Sequence, residues 1–308
     1  MLPPAILRRL QALPDNAKGS LVLLCAAFFF TLMATSVKLL GSHLHVTQIL
    51  LVRQIVMSAI VAPMILRGFP GVLATRRPGL QLVRIGFALA AMLLGFTAVI
   101  HLPLADATAI GFAKSFFVTI LAVVLLSEPV GPRRWAAVAA GFAGVIIMVK
   151  PGTDGFSIYG LMAIVGAASA GTVMVIIRIL SRTESNTTIL TWQALGVGLM
   201  MLVPAVWFWK WPEPWEWLML LGMGFVSYVG QMLNIMAYRL GEASVMASLD
   251  YVRLIYATII GFLVFSTLPG VNTWVGAGLI VAASIYTIRR EARRKQVIAA
   301  TPDGRGLS

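Results

Sequence analysis

The sequence predicts an all-α integral membrane protein whose ten transmembrane helices form two inverted five-helix repeats. The first observation behind this prediction is composition, since 59% of the 308 residues are hydrophobic and 11% are charged, with a mean hydropathy of +0.91. A water-soluble domain of this length has no interior large enough to hide that much apolar surface. The other two observations are the number of long apolar stretches and an internal duplication.

A helix needs about 20 apolar residues to cross a bilayer, and ten stretches of the chain approach this length. In order, they cover residues 19–40, 46–66, 80–101, 104–126, 133–150, 156–180, 187–209, 215–238, 241–267 and 271–288. Each half then holds five helices, an odd number, so the second copy crosses the membrane in the opposite direction. Close helix packing is expected at the glycine- and alanine-rich stretches 136–144, 163–171 and 276–283.

The second half of the chain repeats the first at an offset of 136 to 140 residues. The aligned pairs include Gly86 with Gly222, Asp106 with Glu242, Lys114 with Arg253, and Trp135 with Trp274. Short insertions in loops produce a drift of this size in a duplicated unit. We therefore expect the first repeat at 19–150 and the second at 151–290. A lead at 1–18 and a tail at 291–308 would both be cytoplasmic.

Lysines and arginines predict the orientation, because they favour the cytoplasmic side in short loops. With the N terminus inside, 18 of the 24 lie at or near the cytoplasmic face, Arg84 and Arg178 among them, and only Lys38, Lys150 and Lys210 lie at the outer face. The lysines and arginines on the cytoplasmic side account for most of the formal net charge of +13. Because the charge is spread over loops and a short tail, nucleic acid is not an expected partner.

Several runs in helices 4, 5, 9 and 10 carry a family resemblance. They are Ala-Ile-Gly-Phe-Ala-Lys-Ser-Phe-Phe-Val-Thr at 109–119, Leu-Leu-Ser-Glu-Pro-Val-Gly at 125–131, Gly-Phe-Ala-Gly-Val-Ile-Ile at 141–147, Asp-Tyr-Val-Arg-Leu at 250–254 and Gly-Ala-Gly-Leu-Ile-Val-Ala at 276–282. In this order, duplicated and inverted, they resemble the drug/metabolite transporter superfamily with two EamA-type domains, over residues 19–290. The resemblance implies a ten-helix basket with a central substrate cavity that works by alternating access.

Two positions depart from the pattern of that superfamily. Its members commonly have a proline near Ser115, and without it the sequence does not specify whether helix 4 is kinked at mid-membrane. They also have a glutamate after helix 9, where this chain has Ser266 and Thr267, whereas the counterpart carboxylate after helix 4, Glu128, is present.

Three charged residues are expected near the middle of the membrane, Lys114 on helix 4 and both Asp250 and Arg253 on helix 9. Each costs about 2.5–3.5 kcal/mol at the centre of a helix, so such groups should face an interior cavity and be paired. Asp250 and Arg253 are three residues apart and can pair on one face, with Tyr251 between them. We predict that these residues bind substrate or a coupling ion; the alternative is a salt-bridge set that holds the two repeats together.

Helix 8 carries a polar stripe of Tyr228, Gln231, Asn234 and Tyr238, spaced three or four residues apart. This stripe either lines the cavity or makes hydrogen bonds between helices. Arg53 on helix 2 is a further candidate for substrate contact. It lies seven residues from the outer end of its helix, so its side chain can alternatively reach the membrane surface.

The sequence argues against an enzyme. It has no Gly-x-x-x-x-Gly-Lys-Ser/Thr loop and no His-Glu-x-x-His motif. His43 and His45 lack nearby acidic or sulfur partners in the sequence, so neither a metal nor another cofactor is expected. An enzyme acting on lipid carriers and a non-transporting membrane scaffold remain the alternatives to a transporter.

The favoured function is a secondary transporter in the bacterial inner membrane, surrounded by lipid. It would move a small metabolite, which is amino-acid-like, a vitamin or drug-like, by alternating access, with export favoured over uptake. Without an ATP-binding motif, the energy must come from an ion gradient, the substrate gradient or exchange. Asp250 is the candidate proton carrier, although an ion pair with Arg253 would oppose its protonation.

Overall fold

The computed structural model describes residues 14–126, 131–150 and 157–300, which form helices joined by short loops. The first repeat contains α1 (Asp15–Leu40), α2 (Val46–Gly68), α3 (Pro78–His101), α4a (Leu104–Gly111), α4b (Lys114–Leu126) and α5 (Pro132–Val149). The second contains α6 (Ile158–Leu180), α7 (Asn186–Trp207), α8 (Pro214–Leu240), α9a (Ala243–Leu249), α9b (Val252–Phe265) and α10 (Val271–Ala300). A single 3-10 turn, Gly71–Leu73, lies between α2 and α3.

Within the described residues, eight spans are long and apolar enough to cross a membrane. This count takes α4a with α4b, and α9a with α9b, as one span each. The apolar parts of α5 and α10 are shorter, at Trp135–Val149 and Val271–Thr287. Eight long spans and two shorter ones confirm the predicted all-α, ten-helix membrane protein.

Local sequence explains where most helices begin. Proline occupies the first turn of α3, α5 and α8, where a backbone N–H has no partner within the helix. The side chains of His45, Ser157 and Ser185 accept hydrogen bonds from the first N–H groups of α2, α6 and α7. Each helix is thus started by its own flanking residues, which keeps the connections short.

The helix ends lie on two faces of the bundle. On the first face, where α1 begins, Asn16 hydrogen-bonds Glu242 just after α8. Thr75, just before α3, donates to Glu184, just after α6, on this same face. On the second face, where α1 ends, the Lys38 ammonium donates to backbone carbonyls at the end of α3. The first face is the one that the charge asymmetry predicts to be cytoplasmic.

These contacts show that the second repeat is inverted. Because α6 ends on the face where α1 begins, the two equivalent helices run in opposite directions. Packing follows the same symmetry, since α1 lies along α8 and α3 lies along α6, while α2 packs on α7 and α5 packs on α10. Exchanging the repeats leaves this set of helix pairs unchanged, which confirms two inverted five-helix repeats.

Glycines permit the close packing expected of α5 and α10. A Cβ atom on Gly144 would lie 2.6 Å from the carbonyl oxygen of Gly276, and one on Gly276 would lie 2.5 Å from that of Gly144. Backbone cannot move aside as a flexible side chain can. A larger residue at either position would therefore push the two helices apart.

Helices 4 and 9 are each interrupted; the sequence counted each as one span and left a kink in helix 4 open. Helix α10 continues to Ala300 and so includes residues 291–300 of the predicted tail. Residues 1–13 of the predicted lead, the end of the tail at 301–308 and Glu128 lie outside the described residues. The domain boundaries inferred from the duplication stay a prediction.

Arg84 was expected at the cytoplasmic face, but its side chain is fully buried near that face. It donates from Nε to Gln81 at 3.2 Å, from a terminal nitrogen to Gln193 at 2.8 Å, and from the other to the carbonyl of Ile189 at 2.7 Å. Neutral acceptors here replace the water that a surface arginine would bind. Arg84 therefore ties α3 of the first repeat to α7 of the second.

Candidate functional site

The centre of the bundle is formed where helices 4 and 9 are interrupted. The gap in helix 4 comprises Phe112 and Ala113, and the gap in helix 9 comprises Asp250 and Tyr251. The rings of Phe112 and Tyr251 are in contact, with centroids 4.6 Å apart and planes tilted by 55°. Since the duplication aligns Lys114 with Arg253, Phe112 and Tyr251 are also equivalent. The two repeats thus meet at their broken helices.

Hydrogen bonding changes register at both breaks. In helix 4, the N–H of Ala113 donates to the carbonyl of Ile110 at 2.9 Å, three residues back instead of four. In helix 9, the N–H of Arg253 donates to the carbonyl of Asp250 in the same way at 3.1 Å. Ser115 supports the first break, because its hydroxyl donates to the carbonyl of Phe112 at 2.9 Å. Helix 4 is therefore interrupted even without the proline common in the superfamily.

A polar cavity of about 440 Å³ opens from these breaks toward the first face. Its walls come from α4b, α6, α8, helix 9 and α10. The lining residues are Phe112, Lys114, Ser115, Phe116, Val118, Thr119, Met174, Asn234, Tyr238, Ala247, Asp250, Tyr251, Arg253, Ser284 and Thr287. Ten of these 15 residues carry a polar or charged group, although most of the wall surface that faces the cavity is apolar. A few polar groups in an apolar wall can orient a solute.

The predicted ion pair forms at the inner end of this cavity. Arg253 Nε lies 2.7 Å from Asp250 Oδ1, and the two side chains are 20% and 16% exposed. The N–H does not point at the oxygen, however, and neither buried atom makes a hydrogen bond. The contact is an ion pair of poor alignment between two buried atoms. The Arg253 guanidinium also lies over the Phe30 ring, 4.3 Å from its centroid.

Lys114 differs from this pair because its ammonium makes no hydrogen bond and no ion pair with the part of the chain that the structure describes. The charges of Arg253 and Asp250 act on it from beyond contact distance. The side chain is partly buried and lines the polar cavity. An ammonium at mid-membrane without a partner is costly unless water or a ligand satisfies it.

A second cavity, of about 340 Å³, extends from the same centre toward the second face. We call it the small-residue cavity, because ten of its 20 lining residues are alanine or glycine. They are Ala34, Ala91, Gly95, Ala98, Ala107, Gly111, Ala163, Gly166, Ala167 and Ala170. Lys114, Arg253 and Phe112 line both cavities. These three residues therefore mark the junction between the two halves of the molecule.

The structure brings together most, but not all, of the predicted site residues. Asn234 of the helix 8 stripe lines the polar cavity, together with Tyr238. Tyr228 and Gln231 line neither of the two cavities, and Gln231 is exposed. Arg53 also lies outside both and donates to the Ser227 hydroxyl of α8 at 3.1 Å. Arg53 is thus bound to a neighbouring helix, which is neither of the two expectations for it, substrate contact or reach to the membrane surface.

Sequence reasoning missed the uncharged polar residues that surround the charged centre. Ser284 of α10 lies 3.5 Å from Ser115 between their hydroxyl oxygens, and the Tyr251 side chain interacts with both hydroxyls. Single serines in apolar helices give no periodic signal. Within the described ranges, no group of three His, Cys, Asp or Glu side chains could hold a metal ion.

Comparison with known proteins gives the family. Residues 17–150 and 157–289 each match the model of the EamA-like transporter family. The riboflavin transporter of Brucella anthropi is 28% identical over 241 residues, covering 75% of this chain and 83% of its own. The S-adenosylmethionine uptake transporter of Rickettsia prowazekii is 26% identical over 274 residues, covering 86% and 92%.

The pseudopaline exporter CntI of Pseudomonas aeruginosa is 28% identical over 276 residues, covering 88% of this chain and 96% of its own. These relatives are named for uptake as well as export. Both repeats match the family, and the fold carries the duplication that the sequence predicted. The chain belongs to the EamA-like transporter family of the drug/metabolite transporter superfamily, and it is a multi-pass membrane transporter rather than an enzyme.

Proposed function

We propose that this transporter exports a small, amino-acid-like metabolite across the bacterial inner membrane by alternating access. Its substrate carries a carboxylate that binds Lys114 and Arg253, and Asp250 binds the substrate's amino group or carries a coupling proton. The observation that carries this proposal is the Lys114 ammonium, which lacks a partner within the described residues at the junction of two cavities.

The balance of charge supports an anionic group at this junction. Lys114 is the first residue of α4b, and Arg253 is the second residue of α9b. These two cationic side chains carry one positive charge more than the single negative charge of Asp250 offsets. A substrate carboxylate would balance this excess, and a structural salt-bridge set would leave it unbalanced.

Asp250 gives the site its second function. Its carboxylate lines the polar cavity and its side chain is 16% exposed, so an ammonium group of the substrate can bind there. Protonation of the same carboxylate would release Arg253 and couple a proton to the substrate. S-adenosylmethionine, the substrate named for one of the relatives compared above, carries both an amino and a carboxylate group.

Export is supported by the position of the polar cavity. It is the larger of the two cavities and lies toward the first face, where the lysine and arginine asymmetry predicts the cytoplasm. A polar metabolite would thus be bound from the cytoplasmic side. Cysteine labelling tests this orientation, because an impermeant maleimide should label Ser42→Cys from outside and leave Arg76→Cys unlabelled, both in a Cys25→Ala background. The reverse pattern would refute export through this cavity.

Transport by purified protein in liposomes tests the function itself. We expect uptake of labelled S-adenosylmethionine or an amino acid, and Lys114→Met should lower transport per folded molecule by about 10- to 100-fold, since a hydrogen bond to a charged group contributes about 1.5–3 kcal/mol. Lys210→Met, which removes a lysine at the second face, serves as the matched control and should transport normally. Full transport by folded Lys114→Met would refute the carboxylate-binding role.

A further inference from the structure

The small-residue cavity has a shape and chemistry of its own. At its inner end it shares Lys114 and Arg253 with the polar cavity, and these are the only charged residues among its 20 lining positions. The rest of its wall is apolar apart from Thr31 and Thr108. It is an apolar pocket of about 340 Å³, and the only charged residues in its lining, Lys114 and Arg253, lie where it meets the polar cavity.

Two glycines keep this pocket open. A Cβ atom built on Gly95 of α3 or on Gly111 of α4a would meet no atom within 4 Å. Helix packing therefore does not require glycine at either position. Gly166 of α6 is different, because its Cβ would lie 3.1 Å from the backbone nitrogen of Gly95. Glycine within a helix costs roughly 0.5–1 kcal/mol relative to alanine, so an unneeded glycine that borders a cavity points to a role for the space itself.

Three aromatic rings complete the wall of the small-residue cavity. Phe30 of α1, Phe96 of α3 and Phe112 of the helix 4 break all border the pocket. The Phe30 ring contacts the guanidinium of Arg253, where the two cavities meet. Rings next to alanine and glycine surfaces favour a flat, bulky apolar group, which can stack on the rings and fit against the small side chains.

We infer that the small-residue cavity is the binding subsite for a ring system covalently attached to the charged head of the substrate. The transported solute is then amphipathic, with a carboxylate at Lys114 and Arg253 and an aromatic or similarly bulky group between α1, α3, α4a and α6. Gly95 and Gly111 set the size of that group. The inference rests on the proposed function, because the charged head fixes which end of the solute enters the pocket.

The test combines four leucine substitutions with three probes. Gly95→Leu and Gly111→Leu fill the pocket, whereas Gly86→Leu and Gly222→Leu add the same side chain at exposed helix positions where a Cβ also meets nothing within 4 Å. The probes are L-tryptophan, which has both ring and carboxylate, L-alanine, which lacks the ring, and riboflavin, which lacks the carboxylate. Binding is measured by thermal stabilisation of the purified protein in detergent, and transport in liposomes.

We expect L-tryptophan to bind best to the wild-type protein, and each pocket-filling variant to weaken it by at least about tenfold, as misfit in an apolar pocket does. The two exposed-position controls should bind it as the wild type does. Equal binding of L-tryptophan by Gly95→Leu, Gly111→Leu and the wild type would overturn the subsite. So would wild-type protein that binds L-alanine as tightly as L-tryptophan.

The same measurements separate this subsite from the proposed function. If Lys114→Met weakens L-alanine and L-tryptophan alike while the pocket-filling variants weaken neither, the carboxylate site stands and the ring subsite is refuted. If Lys114→Met weakens neither probe, the proposed function is refuted. Wild-type protein that binds none of the three probes would count against both.

Discussion

The polar cavity and the small-residue cavity share a boundary but differ in what they offer a solute. Ten of 15 residues that line the first are polar or charged, and ten of 20 that line the second are alanine or glycine. They meet at Phe112, Lys114 and Arg253. The proposals above assign recognition of the charged head to the centre that the two cavities share, and selection of size to the small-residue cavity.

One pair of equivalent positions shows the difference between the cavities on a common backbone. Ala98 of α3 and Asn234 of α8 are equivalent at the same offset of 136 residues as Gly86 and Gly222. Ala98 lines the small-residue cavity and Asn234 lines the polar cavity. Equivalent helix positions here carry a small side chain in the first repeat and a polar one in the second.

The largest expected effect comes from removing the negative charge of the polar cavity. Asp250→Asn should lower transport by about 10- to 100-fold, because a hydrogen bond to a charged group contributes about 1.5–3 kcal/mol, and the remaining flux should lose its dependence on pH. Transport into liposomes at several pH values, divided by the amount of folded protein, measures this. Full, pH-dependent flux by a stable Asp250→Asn protein would mean that this carboxylate neither binds nor couples.

A buried charge outside both cavities should behave in the opposite way. Arg84→Met removes two hydrogen bonds between α3 and α7 and one within α3, and it leaves the acceptors on Gln193 and Ile189 without their donor. We expect a loss of about 2–4 kcal/mol in unfolding free energy, with normal transport per folded molecule. Thermal unfolding in detergent measures the first and liposome flux the second. A stable Arg84→Met protein without transport would instead place Arg84 in the transport machinery.

A smaller effect should separate two residues of the helix 8 stripe. Asn234 lines the polar cavity, whereas Gln231, three residues earlier on the same helix, is exposed. Asn234→Ala should weaken substrate binding by about two- to tenfold, the value of a neutral hydrogen bond of 0.5–1.5 kcal/mol. Gln231→Ala is the matched control and should bind normally. Equal effects of the two substitutions would remove the distinction between cavity lining and helix surface.

The sequence was sufficient to predict the fold and the charged centre. Lys114, Asp250 and Arg253 stand out because charge is rare and costly in apolar helices, and the duplication predicted that they lie in matching places. The small-residue cavity was not predicted. The alanines and glycines at 163–171 are equally compatible with close helix packing and with the wall of a cavity, and Gly166 does pack on α3. Whether a small residue fills a contact or borders a space depends on the neighbouring helix, which periodicity within one helix does not report.

The breaks in helices 4 and 9 were not predicted, and for helix 4 the sequence left a kink open. Residues 104–126 form one mostly apolar stretch, and the hydrogen bonds that shift register at Ala113 leave no compositional trace. The proline common in the superfamily would have been such a trace. At the break itself, Phe112 meets Tyr251 of the other repeat, and the Ser115 hydroxyl donates to the Phe112 carbonyl.

The smallest expected effect follows from that break. Ser115 is the second residue of α4b, and proline is tolerated in the first turn of a helix. Ser115→Pro would remove two hydrogen bonds to the Phe112 carbonyl, the 3.2 Å bond from the Ser115 N–H and the bond from its hydroxyl. Proline would also restrict the unfolded chain, which favours the folded state. The two changes nearly offset, so the unfolding free energy should shift by less than about 1 kcal/mol.

Ser169 provides the control, because it lies in the middle of α6, where the helix is continuous. Proline at that position would remove a helical hydrogen bond and clash with the preceding turn, at a cost of about 3 kcal/mol or more. Thermal unfolding of Ser115→Pro and Ser169→Pro side by side gives the comparison. If both were destabilised equally, helix 4 would have to be continuous in the native protein, and the junction between the two cavities would lose its structural basis.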